Sequence, residues 1–433
     1  MHSSRSSTTR RSSFALLLLV GCFLWFEAMG AIALWWFKGE PTGPGAVAAQ
    51  RRSLLEAPDS GGDWFRHRLR FEDALHPYLG YVADPDQHPT AALPGFSSEA
   101  IELGFPRNRS SLLAPRASDE VVLLLVGGSV AHLLADAAAP ELRAGLEGRG
   151  RFAGKRVRVV SAALPGYKQP QQLMAVAWLI ALGAPIDLVV NLDGFNELVL
   201  PATEHTRAGV FPLYPRGWKV RVDRLGGAAQ RLVAQQAETR RARAASAARF
   251  DSPLLRYSFT ASAVWLALDR RAASEIALLE EQLLELQGEA RSSYQARGPR
   301  AEYATTAELY AALVGAWERS SLALSGLCAA QGIEYFHFLQ PNQYADGGKP
   351  LTPEEERTAW RADQPYREPV QLGYPLLEQA GARLRSRGAH FTSLVRTFEG
   401  VDETLYVDDC CHFNAIGMKR VADAVTREIL ADD

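Results

Sequence analysis

From residue 119 onward the chain alternates short apolar runs with longer stretches whose apolar residues recur at helical spacing. The runs are 121–126, 156–161, 187–192, 334–339 and 390–394, and the helical stretches are 131–149, 169–183, 303–331, 371–387 and 414–431. Val121-Val122-Leu123-Leu124-Leu125-Val126 has no polar alternation, so both faces of such a strand must be covered. Strands joined by helical crossovers run parallel and right-handed. The pattern predicts an α/β fold, a three-layer α/β/α sandwich around a parallel, doubly wound sheet. With 433 residues and 47% hydrophobic content the chain can bury a sizeable core, as one large domain with additions or as two.

A second constraint lies at the N-terminus. Residues 14–37 form an apolar run long enough to cross a bilayer as a helix, which takes about 20 residues. Arg5, Arg10 and Arg11 precede it, while Lys38 and Glu40 cancel after it. The positive-inside rule then keeps residues 1–13 cytoplasmic and exports the remainder to the periplasm or the cell exterior, with Trp35 and Trp36 at the outer interface. Glu27 inside the run costs roughly 2.5–3.5 kcal/mol on insertion scales, a cost that protonation or a partner helix would lower. Ala46-Val47-Ala48 resembles a signal-peptide cleavage site but lies too far along the chain, so an uncleaved, single-pass anchor is expected.

Gly39-Glu40-Pro41-Thr42-Gly43-Pro44-Gly45 is a stretch that cannot hold a helix and reads as the start of a linker, 38–62. An aromatic-rich N-terminal extension, 63–118, follows, with Trp64, Phe65, Phe71, Tyr78 and Tyr81. The main domain, 119–431, is interrupted by a helical insertion, 202–302, in which Leu268, Ile276, Leu279, Leu283 and Leu286 mark an apolar stripe. The insertion is the candidate surface for a protein partner, and the basic run Arg240-Arg241-Ala242-Arg243 within it reads as an exposed face. A net charge of -2 and a pI near 6.5 give no basic excess, so no nucleic-acid partner is expected. Cys22, Cys328, Cys410 and Cys411 do not form a disulfide scaffold or a zinc ribbon. Export would permit Cys328 to pair with Cys410 or Cys411, and buried free thiols fit the sequence as well. No metal or other cofactor is expected.

The chemistry-bearing residues sit where an open α/β sheet places its ligands, beyond the carboxyl ends of strands. Ser129 follows Gly127-Gly128 after the first main strand and opens a helix whose N-terminal amides favour negative charge. Its alternative role is a helix cap. Gly166, in Leu164-Pro165-Gly166-Tyr167 after the second strand, can present a backbone amide, and Pro-Gly is also an ordinary turn. Asn196, in Asp193-Gly194-Phe195-Asn196-Glu197 after the third, offers a carboxamide to an oxyanion. Asp409 and His412 near the C-terminus have the spacing that lets a carboxylate hold Nδ1–H while Nε2 faces a nucleophile, and Asp408 is the alternative carboxylate. His132 lies one turn after Ser129, where it lines the pocket rather than acting as base. His337 reads as a core histidine, with Gln340 and Asn342 in a loop pointing toward the cleft.

Taken in chain order, Gly127-Gly128-Ser129, Gly166, Gly194-Phe195-Asn196-Glu197 and Asp409-Cys410-Cys411-His412 resemble the four blocks of the SGNH hydrolase superfamily, the GDSL-like lipases and acylhydrolases. The resemblance spans roughly residues 119–431 and departs at Gly128, where the family has Asp, and at Glu197, where it usually has Asp. It implies a flavodoxin-like sheet, Ser129 as nucleophile, His412 as base and Asp409 as its orienter. The oxyanion hole would be the Ser129 and Gly166 amides with the Asn196 carboxamide. The expected activity is ester hydrolysis through an acyl-enzyme, on O-acyl groups of an envelope glycan or on a lipid. The alternatives are a polysaccharide O-acyltransferase and a non-catalytic envelope protein that binds glycan or a partner. Gly127-x-Ser129-x-Ala131 does not have the strand context of an α/β-hydrolase elbow, and the glycines match neither G-x-G-x-x-G nor a P-loop.

Overall fold

The computed structural model describes residues 5–56, 73–84, 101–106, 110–223, 227–289 and 293–431. The expected aromatics Trp64, Phe65 and Phe71 lie outside these residues. The chain divides into two compact units, Met1–Trp64 with Pro89–Ser97 and Arg224–Ala290, and Phe65–His88 with Ser98–Asp223 and Arg291–Asp433. In chain order, α1 (Arg5–Lys38) and α2 (Pro44–Glu56) precede the strand pairs β1 (Asp73–His76) with β2 (Gly80–Ala83) and β3 (Ile101–Glu102) with β4 (Phe105–Pro106). Then come β5 (Glu120–Gly127), α3 (Ser129–Ala137), α4 (Ala139–Leu146), β6 (Arg156–Ser161), α5 (Gln171–Ala181), β7 (Leu188–Asp193) and α6 (Phe195–Leu200). The helical elements α7 (Trp218–Asp223), α8 (Gly227–Phe250), α9 (Phe259–Glu289), α10 (Tyr294–Arg297) and α11 (Thr306–Ala330) follow. The chain closes with β8 (Glu334–Leu339), α12 (Pro353–Thr358), α13 (Arg367–Ser386), β9 (His390–Ser393) and α14 (Ala415–Ala431).

Strands β5 to β9 form one parallel sheet in the order β6-β5-β7-β8-β9. Leu124 of β5 sits between Val160 and Val189, and Val190 of β7 pairs with Phe336. Both faces are covered. Val121, Leu123 and Leu125 join an apolar cluster with Leu134, Leu142, Val421 and Val425, while Val122, Leu124 and Val126 join another with Val176, Leu179 and Leu324. Each such buried Val or Leu is worth roughly 1.5–3 kcal/mol, so burial on both faces rather than local propensity fixes these strands. Cys328 belongs to the second cluster and Cys411 to the first, which excludes the disulfide between them that export would permit. The order of the strands reverses between β5 and β7, and the loops leaving their carboxyl ends meet there.

In the other unit, the segment Leu17–Lys38 of α1 is long and apolar enough to cross a membrane. Residues 17–26 are exposed all round, whereas Glu27, Gly30, Leu34 and Phe37 form one partly or fully buried face. That face meets α9. Glu27 accepts hydrogen bonds from Ser258 Oγ at 2.6 Å and from the Phe259 amide at 2.7 Å, and the Phe26 carbonyl accepts from Thr260 Oγ1 at 2.6 Å. The partner of Glu27 is therefore the N-terminus of α9, whose free amides suit a carboxylate. The linker 38–62 is helical in part: Pro44 occupies the first helical turn of α2, where its missing N–H costs nothing, and Val47, Leu54 and Leu55 pack with Leu34, Trp265 and Leu266. The insertion forms the α8–α9 hairpin, closed by Arg243–Asp269 at 2.7 Å and Arg240–Glu280 at 3.2 Å, so two arginines of the basic run are paired. Within the stripe, Ile276, Leu279 and Leu283 are buried but Leu268 faces outward.

Candidate active site

Ser129 is the first residue of α3, and the sharp exit from β5 depends on the small residue before it. A Cβ on Gly128 would sit 2.3 Å from Asn196 Nδ2, so no side chain fits at 128 while Asn196 keeps its place. Ser129 is buried but not sealed, with 7% of its surface exposed. His412 arrives from the other end of the domain on a tight loop: the Val407 amide donates to the His412 carbonyl at 3.1 Å, and the Asn414 amide to the Leu405 carbonyl at 2.8 Å. That loop sets His412 Nε2 2.8 Å from Ser129 Oγ, across 283 positions of sequence.

The carboxylate on the imidazole is Asp408, not Asp409. Asp408 Oδ2 lies 2.5 Å from His412 Nδ1, and Oδ1 accepts the amides of Cys410 at 3.0 Å, Cys411 at 3.0 Å and His412 at 3.2 Å. Three consecutive amides converging on one oxygen fold the turn back so that the other oxygen meets the ring. Asp409 turns away; its carboxylate is 3.6 Å from Arg361 Nη1, and its carbonyl accepts from Tyr344 Oη at 3.1 Å and Gln364 Nε2 at 3.2 Å. Burial alone would raise Asp408, but the His412 charge and the hydrogen bonds hold it down to about 2. Burial works against the imidazolium, and Asp408 outweighs it, lifting His412 to about 9.

The two expected oxyanion donors are tied together. Asn196, in the first turn of α6, donates from Nδ2 to the Tyr167 carbonyl at 2.8 Å, one residue beyond Gly166. The Tyr167 amide bonds back to the Leu164 carbonyl at 3.0 Å, closing a turn that holds Gly166 at φ +85°. That bond uses one of the two Nδ2 hydrogens of Asn196, and the nitrogen lies beside Gly128, the residue before the serine. Ser129, Asn196, the Gly166 turn and His412 are thus brought to one place.

Several residues to which the sequence assigns no role support this place. Tyr81 of β2 donates to the Pro165 carbonyl at 2.8 Å, and Tyr167 Oη donates to the Tyr81 carbonyl at 2.6 Å, so the β1–β2 hairpin clasps the Gly166 turn from both sides. The Arg221 guanidinium lies 3.7 Å over the Tyr81 ring and pairs with Asp73 at 2.5 Å. Glu197 is fully buried and accepts from the Gly194 amide at 2.8 Å, the Gln169 amide at 3.0 Å and Gln172 Nε2 at 3.0 Å, which staples the Asn196 turn to the loop after β6. Burial and the nearby Asp193 charge raise Glu197 to about 8. Asp193 accepts from Trp317 Nε1 and His337 Nε2, each at 2.8 Å, and from Asn191 Nδ2 at 2.9 Å; burial opposes its charge, but His337 and these donors keep it below the usual carboxylate range.

His337 is thus a core histidine, its Nδ1 paired with Ser321 Oγ at 2.8 Å. Asn342 does not reach the serine; it donates to the Cys410 carbonyl at 3.0 Å, and Gln343 donates to the Asp408 carbonyl at 2.9 Å, so this loop braces the histidine turn. His132 is buried with Nδ1 3.2 Å from the Ala163 carbonyl. The Sγ atoms of Cys410 and Cys411 are 3.2 Å apart, and with a His412 nitrogen they lie within 4.8 Å of one another. A metal bound there would have to take His412 from Ser129 or from Asp408. The acidic pairs Asp193 with Glu197 and Asp408 with Asp409, each beside a motif residue, were the signals in the sequence for these supports. The arrangement can deprotonate a serine and receive a developing oxyanion. The sequence as a whole matches no protein-family model and no curated protein.

Proposed function

We propose that this chain is a membrane-anchored serine esterase or acyltransferase of SGNH type, working through an acyl-enzyme. The observation that carries the reading is the chain of contacts Asp408–His412–Ser129, at 2.5 and 2.8 Å, at the reversal point of a parallel sheet. The strand order and the apolar clusters on both faces support a flavodoxin-like, three-layer sandwich. The arginines before α1 support an N-terminus in the cytoplasm and a site on the exported side.

In the first half-reaction Ser129 Oγ attacks the ester carbonyl carbon and His412 Nε2 takes the hydroxyl proton. Asp408 holds Nδ1–H and stabilises the imidazolium. The tetrahedral oxyanion accepts from the Ser129 amide, the Gly166 amide and Asn196 Nδ2. The C–O bond to the alcohol breaks as His412 returns the proton to the leaving oxygen. In the second half-reaction a hydroxyl attacks the acyl carbon as His412 takes its proton, the bond between the acyl carbon and Ser129 Oγ breaks, and His412 returns the proton to Oγ. Water as that acceptor yields hydrolysis, and a sugar hydroxyl yields transfer to a glycan.

The test is labelling of the full chain by a fluorophosphonate, whose phosphorus bonds to an activated serine. An adduct on Ser129 is expected, abolished in Ser129→Ala. An unlabelled, folded wild type would favour a glycan- or partner-binding role for the same cleft.

A further inference from the structure

The tip of the α8–α9 hairpin is built against the apolar helix at a depth where water is not the expected neighbour. Phe259, Thr260 and Ser258 meet α1 at Phe26 and Glu27, nine residues before Trp36, which is roughly 13 Å along the helix. A Cβ on Gly30 would fall 2.4 Å from the Thr260 amide nitrogen, so the two backbones are in direct contact, the packing that small residues allow between helices in lipid. Further along, Arg270 donates to the Phe37 carbonyl, so α9 runs beside α1 in the same direction from Glu27 to the end of the apolar segment.

The turn joining α8 to α9 satisfies much of its own irregular backbone. The amides of Leu255 and Arg256 bond to the Ser252 carbonyl at 3.1 and 2.9 Å, that of Ser258 to the Leu255 carbonyl at 3.2 Å, and that of Phe259 to Glu27. The charges nearby are paired: Arg256 with Asp251 at 2.6 Å, and the fully buried Arg51 with the Arg256 carbonyl at 2.8 Å and with Asp251 at 3.9 Å. With Glu27 these are two cations and two anions, and Arg249, in the last turn of α8, is a further, exposed cation. On the outer surface are Leu254, 92% exposed, Tyr257 at 65%, Val264 at 47% and Leu268 at 46%, and residues 17–26 of α1, which end at the Phe26 contact, are exposed as well.

The geometry points to the hairpin tip, residues 251–268, as a second membrane-embedded element, docked on α1 through Glu27 and Gly30 and presenting Leu254, Tyr257, Val264 and Leu268 to lipid acyl chains. The inference rests on reading α1 as a membrane anchor. It makes the insertion a lipid-contacting element that enters the leaflet crossed by the second half of α1.

The test is photo-crosslinking of the full chain in vesicles of phosphatidylcholine and phosphatidylglycerol, with benzoylphenylalanine in place of Leu254, Val264, Trp25 or Glu281. Trp25 reports the anchor, and Glu281, exposed and roughly 33 Å along α9 from Phe259, reports water. Lipid adducts at Leu254 and Val264 comparable with Trp25, and absent at Glu281, are the expected result. Adducts at Trp25 alone overturn the proposal while leaving α1 in the membrane. No adduct at Trp25 removes the anchor and the proposal together. Adducts between two copies of the chain at Leu254 would make this surface a protein interface and overturn it as well. In Gly30→Leu, the Leu254 adduct should be lost with the Trp25 adduct retained; an unchanged Leu254 adduct overturns the docking through Gly30.

Discussion

At the scale of single residues, the adjacent aspartates 408 and 409 differ by one position and have unrelated jobs. Asp408 spends one oxygen on three amides and the other on the imidazole, whereas Asp409 faces Arg361 at 3.6 Å. Asp408→Asn should slow fluorophosphonate labelling of Ser129 by about 10⁴, the loss seen when an orienting carboxylate becomes an amide and the histidine takes the wrong tautomer. Asp409→Asn should leave the labelling rate near wild type. A reversed ranking in a labelling time course would return the orienting role to Asp409. The Asp-x-x-His spacing favours Asp409 in the sequence, but the choice between neighbours is made by a turn whose geometry depends on which oxygen collects the amides, and that turn selects Asp408.

At the scale of elements, the strands were legible and the braces were not. Runs such as 121–126 have one physical solution, burial on both faces, and the glycine-bearing turns after them follow from strand ends. Tyr81 carries no such mark, since its role comes from meeting Pro165 and Tyr167 more than eighty positions away. Helix α2 was obscured because proline and glycine were counted as breakers, although Pro44 sits where proline is tolerated. The hairpin clasp gives a prediction of its own. Tyr81→Phe leaves the Pro165 carbonyl without its donor and should cost about 1–3 kcal/mol in denaturant unfolding. It should also slow labelling of Ser129, because the Gly166 turn loses one of its two fastenings to the hairpin. Lower stability with unchanged labelling would reduce the hairpin to a purely structural support.

At the scale of the whole molecule, two buried groups make stability fall with rising pH. Glu197, raised to about 8, keeps a proton in the folded chain that the unfolded chain releases near 4.5, so stability declines between those values. His412, raised to about 9, contributes stability that is complete below 6.5 and is lost as pH passes through 9. Asp408 acts at the other end, its contribution present above 3.8 and lost as pH falls through 2. Two other buried groups act in the opposite sense, His205, lowered by burial to about 4, and Lys168, lowered by burial to about 7, so the test is a difference from wild type. In thermal or denaturant unfolding, Glu197→Gln should gain stability relative to wild type as pH rises from 4.5 to 8, and His412→Ala as it rises from 6.5 to 9. A difference from wild type that does not change with pH would remove that assignment.

The contact between Ser129 and His412 joins the opening strand of the sheet to the last turn before the final helix. Every crossover of the sheet is threaded between them, so a chain clipped or left unfinished anywhere along that path holds at most half of the pair. The proposed serine chemistry therefore serves as a certificate of completion: a fragment, however well it folds, lacks either the alcohol or its base.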